Sequence, residues 1–251
     1  MTLTVIKIGG RVQQDPTLAA AIAGRWLADR GSLCIVHGGG DEVSALQRQA
    51  GVDPVFIGGR RVTSPDDIER LRMALSGAAN KRLVASLVAA GIDALGLSGE
   101  DAALLVADLA ENGALGAVGK VRAVRTLLLK YLLKGGYLPV ISPLSTPALN
   151  VNGDDAAAAI AIALGAEGLL FVSDVPSVRI HGMGVTRLDR ADADAGIAKG
   201  DIAAGMAAKV QAGLTAVAAG VKRVWIGDLG LLGESPTGTR LVATRTAAGV
   251  V

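Results

Sequence analysis

The sequence predicts an α/β fold, an open and mainly parallel sheet sandwiched between helices, on three observations. Short apolar runs of strand length alternate with longer alanine-rich stretches of helical period, the pattern of repeated β–α units. Several of those runs end in glycine or aspartate, as strands do when a tight turn feeds the next helix. The length of 251 residues suffices for one such domain or two small lobes with a sizeable core.

The first strand is expected over residues 3–8. An unpaired ammonium inside a buried strand is costly, so Lys7 is placed near the strand's exit, where Gly9 and Gly10 let backbone N–H groups approach an anion. An edge strand followed by an ordinary turn fits these few residues equally well. A helix over about 17–30 follows, opened by Asp15-Pro16 and closed by Gly31. The next strand, 33–36, carries Cys34, read as a buried structural thiol. It ends in His37-Gly38-Gly39-Gly40 before a helix over about 41–50. Glycines between a buried strand and a helix N-terminus leave room for a phosphate, although tight turns alone would also explain them.

Pro65 starts a long helix to about residue 90, whose small residues suit either the core or a subunit interface. A strand over 92–97 leaves through Ser98-Gly99-Glu100-Asp101. The apolar pieces between 102 and 121, parted by Asn112-Gly113, read as a hairpin, followed by a helix near 122–134 and a strand over 138–142. Asn150-Val151-Asn152-Gly153-Asp154 opens a helix through Leu164 with Asp154 or Asp155 in its first turn. Then come a strand over 168–172, a loop at Ser173-Asp174-Val175-Pro176, and a polar irregular stretch over 179–200. A helix from Gly205-Met206 to Ala219 and strands over 222–226 and 239–243 complete the chain. The Gly/Asp-rich region after Val172 is the expected junction between an N-terminal lobe, residues 1–168, and a C-terminal lobe, residues 169–251.

Composition excludes several classes of function. Net charge is +2 with both signs interspersed and aromatics are 2%, too little for a basic groove or base stacking, so nucleic acid is not an expected partner. Apolar runs break well before the roughly 18 residues of a membrane span, residues 1–10 lack a signal-peptide pattern, and one cysteine gives no disulfide framework. A cytoplasmic protein without a membrane segment is expected. His37 and His181 are the two histidines, and no His/Cys/Glu cluster has metal-ligand spacing, so no protein-held metal is expected. His37 reads as a structural hydrogen-bonding residue. There is no G-x-S-x-G elbow, no Walker A sequence and no G-x-G-x-x-G fingerprint. What remains is phosphate chemistry by positioning and electrostatics, with the two glycine exits facing one another across a transferring phosphoryl group.

Eight short blocks carry a resemblance. Lys7-Ile8-Gly9-Gly10, His37-Gly38-Gly39-Gly40, Gly59-Arg60-Arg61-Val62-Thr63, Gly77 with Asn80-Lys81, Gly96-Leu97-Ser98-Gly99, Asn150-Val151-Asn152-Gly153-Asp154, Ser173-Asp174-Val175, and Gly205-Met206 with Lys209-Val210 resemble, in that order, the N-acetylglutamate kinases of the amino acid kinase family. The resemblance spans nearly the whole chain. It implies a two-lobed amino acid kinase fold, the first lobe binding the acyl amino acid and dimerising, the second binding ATP. The implied reaction is transfer of phosphate from ATP, with Mg2+ carried by the nucleotide, to the side-chain carboxylate of N-acetyl-L-glutamate in arginine biosynthesis.

By position, Lys7 and Lys209 match the lysines that neutralise the transferring phosphoryl group, and Asp154 the carboxylate that holds them. Gly9, Gly10, Gly38 and Gly39 match the backbone N–H groups of the phosphoryl path. Arg61 and Asn150 match the grip on the acyl amino acid's α-carboxylate, and Ser173, Asp174 and Met206 the nucleotide side. Elementary chemistry agrees, since a carboxylate with a pKa near ~4.3 is already ionised and needs no general base. The difficulty is repulsion between two anions, which lysines and oriented N–H groups relieve.

Bland readings stand beside these. Arg61 beside Arg60 could be a surface pair, Lys209 a solvated helix residue, and Asp154 a helix N-cap. The sequence also departs from the family: Ser177 stands where glycine is usual after Asp-Val-Pro, and Gly153 where alanine is usual. The latter resembles kinases acting on carrier-protein-bound 2-aminoadipate in lysine biosynthesis, whose substrate loop is longer than residues 57–63 here. That substrate, and a non-catalytic ligand-binding relative, stay open as alternatives. A homodimer insensitive to arginine is expected, because the first strand begins at about Leu3 and leaves no residues for the N-terminal helix of the arginine-sensitive hexamers.

Overall fold

Eight strands form one sheet through the molecule, in a computed structural model that describes residues 2–243. Their spatial order is Arg187–Leu188, Thr239–Leu241, Arg223–Gly227, Gly168–Val172, Thr4–Ile8, Leu33–His37, Leu138–Ser142 and Ala94–Ser98. Every neighbouring pair is parallel except Arg223–Gly227 with Thr239–Leu241. The strands Thr4–Ile8, Leu33–His37 and Gly168–Val172 are buried at every residue, as a parallel sheet covered on both faces requires.

Strand alternation then places the chemistry. Ile6 and Ile8 pack on one face with Ile22, Trp26 and Leu87, beneath the helices Leu18–Ala28 and Asn80–Ala89. Val5 points to the other face, towards Ile160 and Val210 on the helices Gly153–Leu164 and Ala204–Ala218. Two residues on from Val5, Lys7 shares that second face, where Asp154 and Lys209 begin and flank it. A smaller sheet, Leu105–Leu109, Val118–Val124, Leu149–Val151 and Leu144–Ser145, stands beside the carboxyl ends of the main strands.

Several expectations are corrected. The stretch read as the start of a helix at 122 continues the strand Val118–Val124, whose β-branched residues pair with Leu105–Leu109, and the helix is only Leu127–Lys134. The expected hairpin is formed, and its turn passes through Glu111, Asn112 and Gly113, all at positive φ. The region read as irregular over 179–200 contains a ribbon, Arg179–Ile180 with Met183–Gly184, and a helix, Arg190–Lys199. That helix buries only Ala193 and Gly196, so it carries no apolar stripe, yet Asp189 caps its start by accepting from Asp192 N at 3.0 Å and Gly200 ends it at φ 82°. The long helix from Pro65 is three segments, Asp67–Leu71, a π-helical Arg72–Ala79, and Asn80–Ala89. The last strand, expected over 239–243, is limited to Thr239–Leu241. No helix among the described residues is long and apolar enough to cross a membrane.

Candidate active site

At the carboxyl ends of the central strands, one carboxylate oxygen meets two ammonium groups. Asp154 Oδ1 lies 2.9 Å from Lys7 Nζ and 3.0 Å from Lys209 Nζ, and all three residues are buried. Asn152 builds this point: its side chain caps the helix Gly153–Leu164 by accepting from the N–H groups of Asp154 at 2.8 Å and Asp155 at 3.3 Å. Asp154 is therefore not the cap, and its oxygens are free to serve the lysines. Burial alone would raise its pKa, but the two ammonium groups overcome this and hold it down at about 2. Burial, and then the neighbouring Lys7, push Lys209 down to about 8. The usual alanine at position 153 would set its Cβ 3.3 Å from Lys7 Cε, a tight contact that glycine relieves.

The two glycine exits approach closely. A Cβ on Gly10 would stand 3.3 Å from Gly39 N and 3.5 Å from Gly40 N, and one on Gly38 3.9 Å from Lys7 Nζ. Gly9 N and Gly38 N do not serve the phosphoryl path as expected, because they extend the sheet ladder, donating to Val172 O and Ile8 O at 2.9 Å each. Among the described residues the N–H groups of Gly10 and Gly39 find no acceptor, and Gly40, first residue of the helix Gly40–Gln49, has none within that helix. The donors left free where the two exits meet are thus those of Gly10, Gly39 and Gly40.

Arg61 and Asn150 share the wall of a cleft of about 150 Å³ with Gly38, Gly39 and Gly40. Arg61 is buried rather than a surface arginine. Its Nη2 donates to Gly40 O and Ser44 Oγ at 2.8 Å each, Nη1 donates to Gln47 Oε1, and its head stacks 4.6 Å from the Phe56 ring. Asn150 Nδ2 donates to Thr63 Oγ1 at 2.8 Å. A second cleft of about 460 Å³ contains Lys7, Asp154, Lys209, Ser173, Asp174 and Met206. The two clefts join at Gly40, Gly59 and Asn152. On the far side, Ser173 Oγ donates to Gly227 O at 3.2 Å, and exposed Arg11 bridges Asp174 at 3.1 Å and Asp41 at 3.3 Å. Ser177 stands against Gly184, where a Cβ would come within 2.5 Å of its Oγ. Among the described residues no group of three His, Cys, Asp or Glu is placed to hold a metal ion.

This geometry has counterparts. A profile described as the amino acid kinase family matches residues 2–228. The chain belongs to the amino acid kinase family. Within it, an acetylglutamate kinase of Roseiflexus sp. (strain RS-1) is 43% identical over 239 residues, 93% of this chain and 92% of the relative. An acetylglutamate kinase of Geobacillus kaustophilus (strain HTA426) is 38% identical over 227 residues, 88% of each chain. The crystal structure of a Streptococcus mutans UA159 protein superposes with a TM-score of 0.87 at 30% identity, covering 96% of this chain and 99% of that one. Carbamate kinase from Giardia lamblia bound to AMP-PNP shares the fold, with a TM-score of 0.73 at 16% identity over 97% and 99% of the two chains.

As an amino acid kinase the chain has supporting residues that sequence reasoning missed. Gly40, Ser44 and Gln47 hold Arg61 from one face of a helix, and their i, i+4, i+7 spacing was the available signal. Asn152 was visible as an Asn before Gly-Asp-Asp, a helix-start pattern. Arg60, passed over as Arg61's neighbour, pairs with Asp155 at 2.8 Å across the cleft junction. Nothing in sequence pointed to Gln13, whose Nε2 reaches Gly38 O at 2.7 Å.

Proposed function

We propose that this amino acid kinase transfers the γ-phosphoryl group of ATP to the side-chain carboxylate of N-acetyl-L-glutamate in arginine biosynthesis, giving an acyl phosphate and ADP. The observation that carries the reading is the pair of buried ammonium groups on one Asp154 oxygen at the meeting of two clefts. A non-catalytic binder has no use for so charge-balanced a point.

In this reading the acyl amino acid lies in the smaller cleft, its α-carboxylate on Arg61 and Asn150, and ATP in the larger, against Ser173, Asp174 and Met206. Arg61 has Nε–H and one Nη1–H without an acceptor among the described residues, charge-assisted donors on separate edges of the guanidinium plane, each able to meet a carboxylate oxygen singly. A side-chain carboxylate oxygen attacks the γ-phosphorus in line, and the bond to the β,γ-bridging oxygen breaks as ADP leaves. No proton moves. Lys7 and Lys209 offset the charge on the phosphoryl oxygens, Asp154 fixes the lysines, and the N–H groups of Gly10, Gly39 and Gly40 point at the equatorial oxygens. Mg2+ enters with ATP as the substrate complex, in keeping with an Asp154 already engaged by two lysines.

We also propose that the enzyme is cytoplasmic and a homodimer, with residues 1–168 carrying the acyl amino acid and the dimer contact and residues 169–251 the nucleotide. A hydroxamate assay over acyl and free amino acids, and over carrier-bound 2-aminoadipate, tests the substrate. Turnover with N-acetyl-L-glutamate, and far less with glutamate, is expected. Turnover confined to the carrier-linked substrate would select the lysine-pathway reaction instead. Light scattering and an arginine titration test the assembly: a dimeric mass without inhibition is expected, and a hexameric mass or inhibition at millimolar arginine would overturn it.

A further inference from the structure

The Gly38 carbonyl is held by two side chains that the phosphoryl-transfer scheme does not use. Gln13 Nε2 donates to it at 2.7 Å from the 3-10 turn Arg11–Gln14, and His37 Nδ1 lies 2.8 Å from it. Which His37 nitrogen carries the proton follows from its other neighbour. Asn80 Nδ2 lies 2.9 Å from Val140 O and 3.0 Å from His37 Nε2. A carbonyl accepts only, so Val140 fixes the Asn80 amide with its NH2 inward, and that NH2 makes His37 Nε2 the acceptor. The proton is left on Nδ1, facing Gly38 O. Burial, with Lys7 and Lys81 nearby, pulls the His37 pKa down to about 4, in keeping with a neutral ring. Gly96 gives Asn80 its space, since a Cβ there would fall 2.0 Å from Asn80 Oδ1.

A trans peptide is planar and its C=O and N–H point opposite ways. Pinning the Gly38 carbonyl therefore fixes the Gly39 N–H on the opposite side of that peptide; it has no acceptor among the described residues, and its nitrogen lies 3.3 Å from where a Cβ on Gly10 would stand. Glycine on both sides of that peptide offers little resistance to its rotation, so the orientation has to be imposed from outside. We infer that Gln13 and His37 are positioning residues for phosphoryl transfer, locking the Gly38–Gly39 peptide so that its N–H is preset for the transition state, with Asn80 selecting the His37 tautomer. This rests on the kinase reading above.

Gln13→Met, His37→Leu and the double variant test it. Each single variant leaves one pin and is expected to lower kcat about 5- to 10-fold. The double variant should approach the ~10²–10³-fold loss seen when one oxyanion donor is removed, with both KM values within about twofold of wild type. His37→Asn, which can present a side-chain N–H to the same carbonyl, should recover most of the activity lost in His37→Leu. Binding of ADP with aluminium fluoride and N-acetyl-L-glutamate should weaken with kcat, whereas binding of AMP-PNP alone should not. Gln13 is only half-buried, so Gln13→Met keeps the test open should His37→Leu fail to fold. Variants that keep wild-type kcat, or that raise KM at unchanged kcat, would overturn the inference. Failure of the wild-type enzyme to phosphorylate any carboxylate would instead overturn the kinase reading.

Discussion

The lysine–aspartate cluster and the hairpin Phe56–Ile57 with Arg60–Arg61 face the same junction but are built oppositely. Lys7, Asp154 and Lys209 are 8%, 5% and 7% exposed, and they stand on a central strand and two long helices. In the hairpin, Phe56 and Ile57 are 54% and 55% exposed, two residues pair with two, and the tip turns through Gly58 and Gly59 at positive φ. Charge that must meet a transition state is fixed by packing before substrate arrives, so no reorganisation is needed during the reaction. The wall that meets the substrate is left adaptable at its tip, with Arg61 anchored by Gln47, Gly40 and Ser44 and Arg60 by Asp155.

Substitutions should divide along that line. Lys7→Met or Lys209→Met is expected to lower kcat at least ~100-fold, and Asp154→Asn to act in the same direction, in steady-state assays at saturating substrates. Thermal melting sharpens the contrast. The folded pKa of Lys209 lies below its ordinary value because burial opposes its charge, so its contribution to stability rises as pH passes from about 8 towards the ordinary lysine range, and Lys209→Met should remove that rise from the Tm–pH profile. In Asp154 the charged form is the one favoured: its depressed folded pKa stabilises above the ordinary carboxylate range, and that contribution is lost as pH falls through 3.8 towards about 2. A Lys209→Met protein with near-normal kcat would remove this lysine from the phosphoryl site.

Next in size is a pH effect. The protonated Lys209 is the useful form, so kcat/KM for ATP should decline on an alkaline limb centred near pH 8, approaching tenfold per unit beyond it. Loss of the limb in Lys209→Arg at retained activity would confirm the assignment, and an unchanged limb would assign it to another group. Smaller again, Arg61→Lys keeps the charge but loses the fork, and KM for the acyl amino acid should rise about tenfold with kcat less affected. Smallest is Ile57→Ser on the exposed hairpin, expected to leave kcat within about threefold and Tm nearly unchanged. A kcat collapse there would break the comparison, because it would make the hairpin part of the rigid machinery.

What could be read from sequence follows the same division. Lys7 stood out because a lysine in an apolar strand needs an explanation, and strand alternation sends it to the face that bears Asp154 and Lys209. The glycine runs were legible as exits, but not which N–H groups they leave free, since that depends on the sheet taking those of Gly9 and Gly38. Asp154 looked like a cap in sequence, and only the Asn152 side chain in that place releases it for the lysines. The helix Arg190–Lys199 escaped because a helix lying on the surface needs no apolar stripe. The strand Val118–Val124 was legible as the second arm of a hairpin only as far as residue 121, because Arg122 and Ala123 are exposed and show no apolar alternation that would mark them as strand.

One further consequence comes from the sheet itself. Thr4–Ile8 is laddered over all five residues to Leu33–His37 on one side and to Gly168–Val172 on the other, so the strand that carries Lys7 has no free edge. Full separation of the sheet at this strand would break a five-residue ladder on either side. Bending of the exposed hairpin at Gly58 and Gly59 would admit substrate with that ladder intact. Amide hydrogen exchange will record this as two clocks: the amides of Thr4–Ile8 exchange only when the whole protein unfolds, while those of residues 55–61 exchange through local fraying and slow down when N-acetyl-L-glutamate is added.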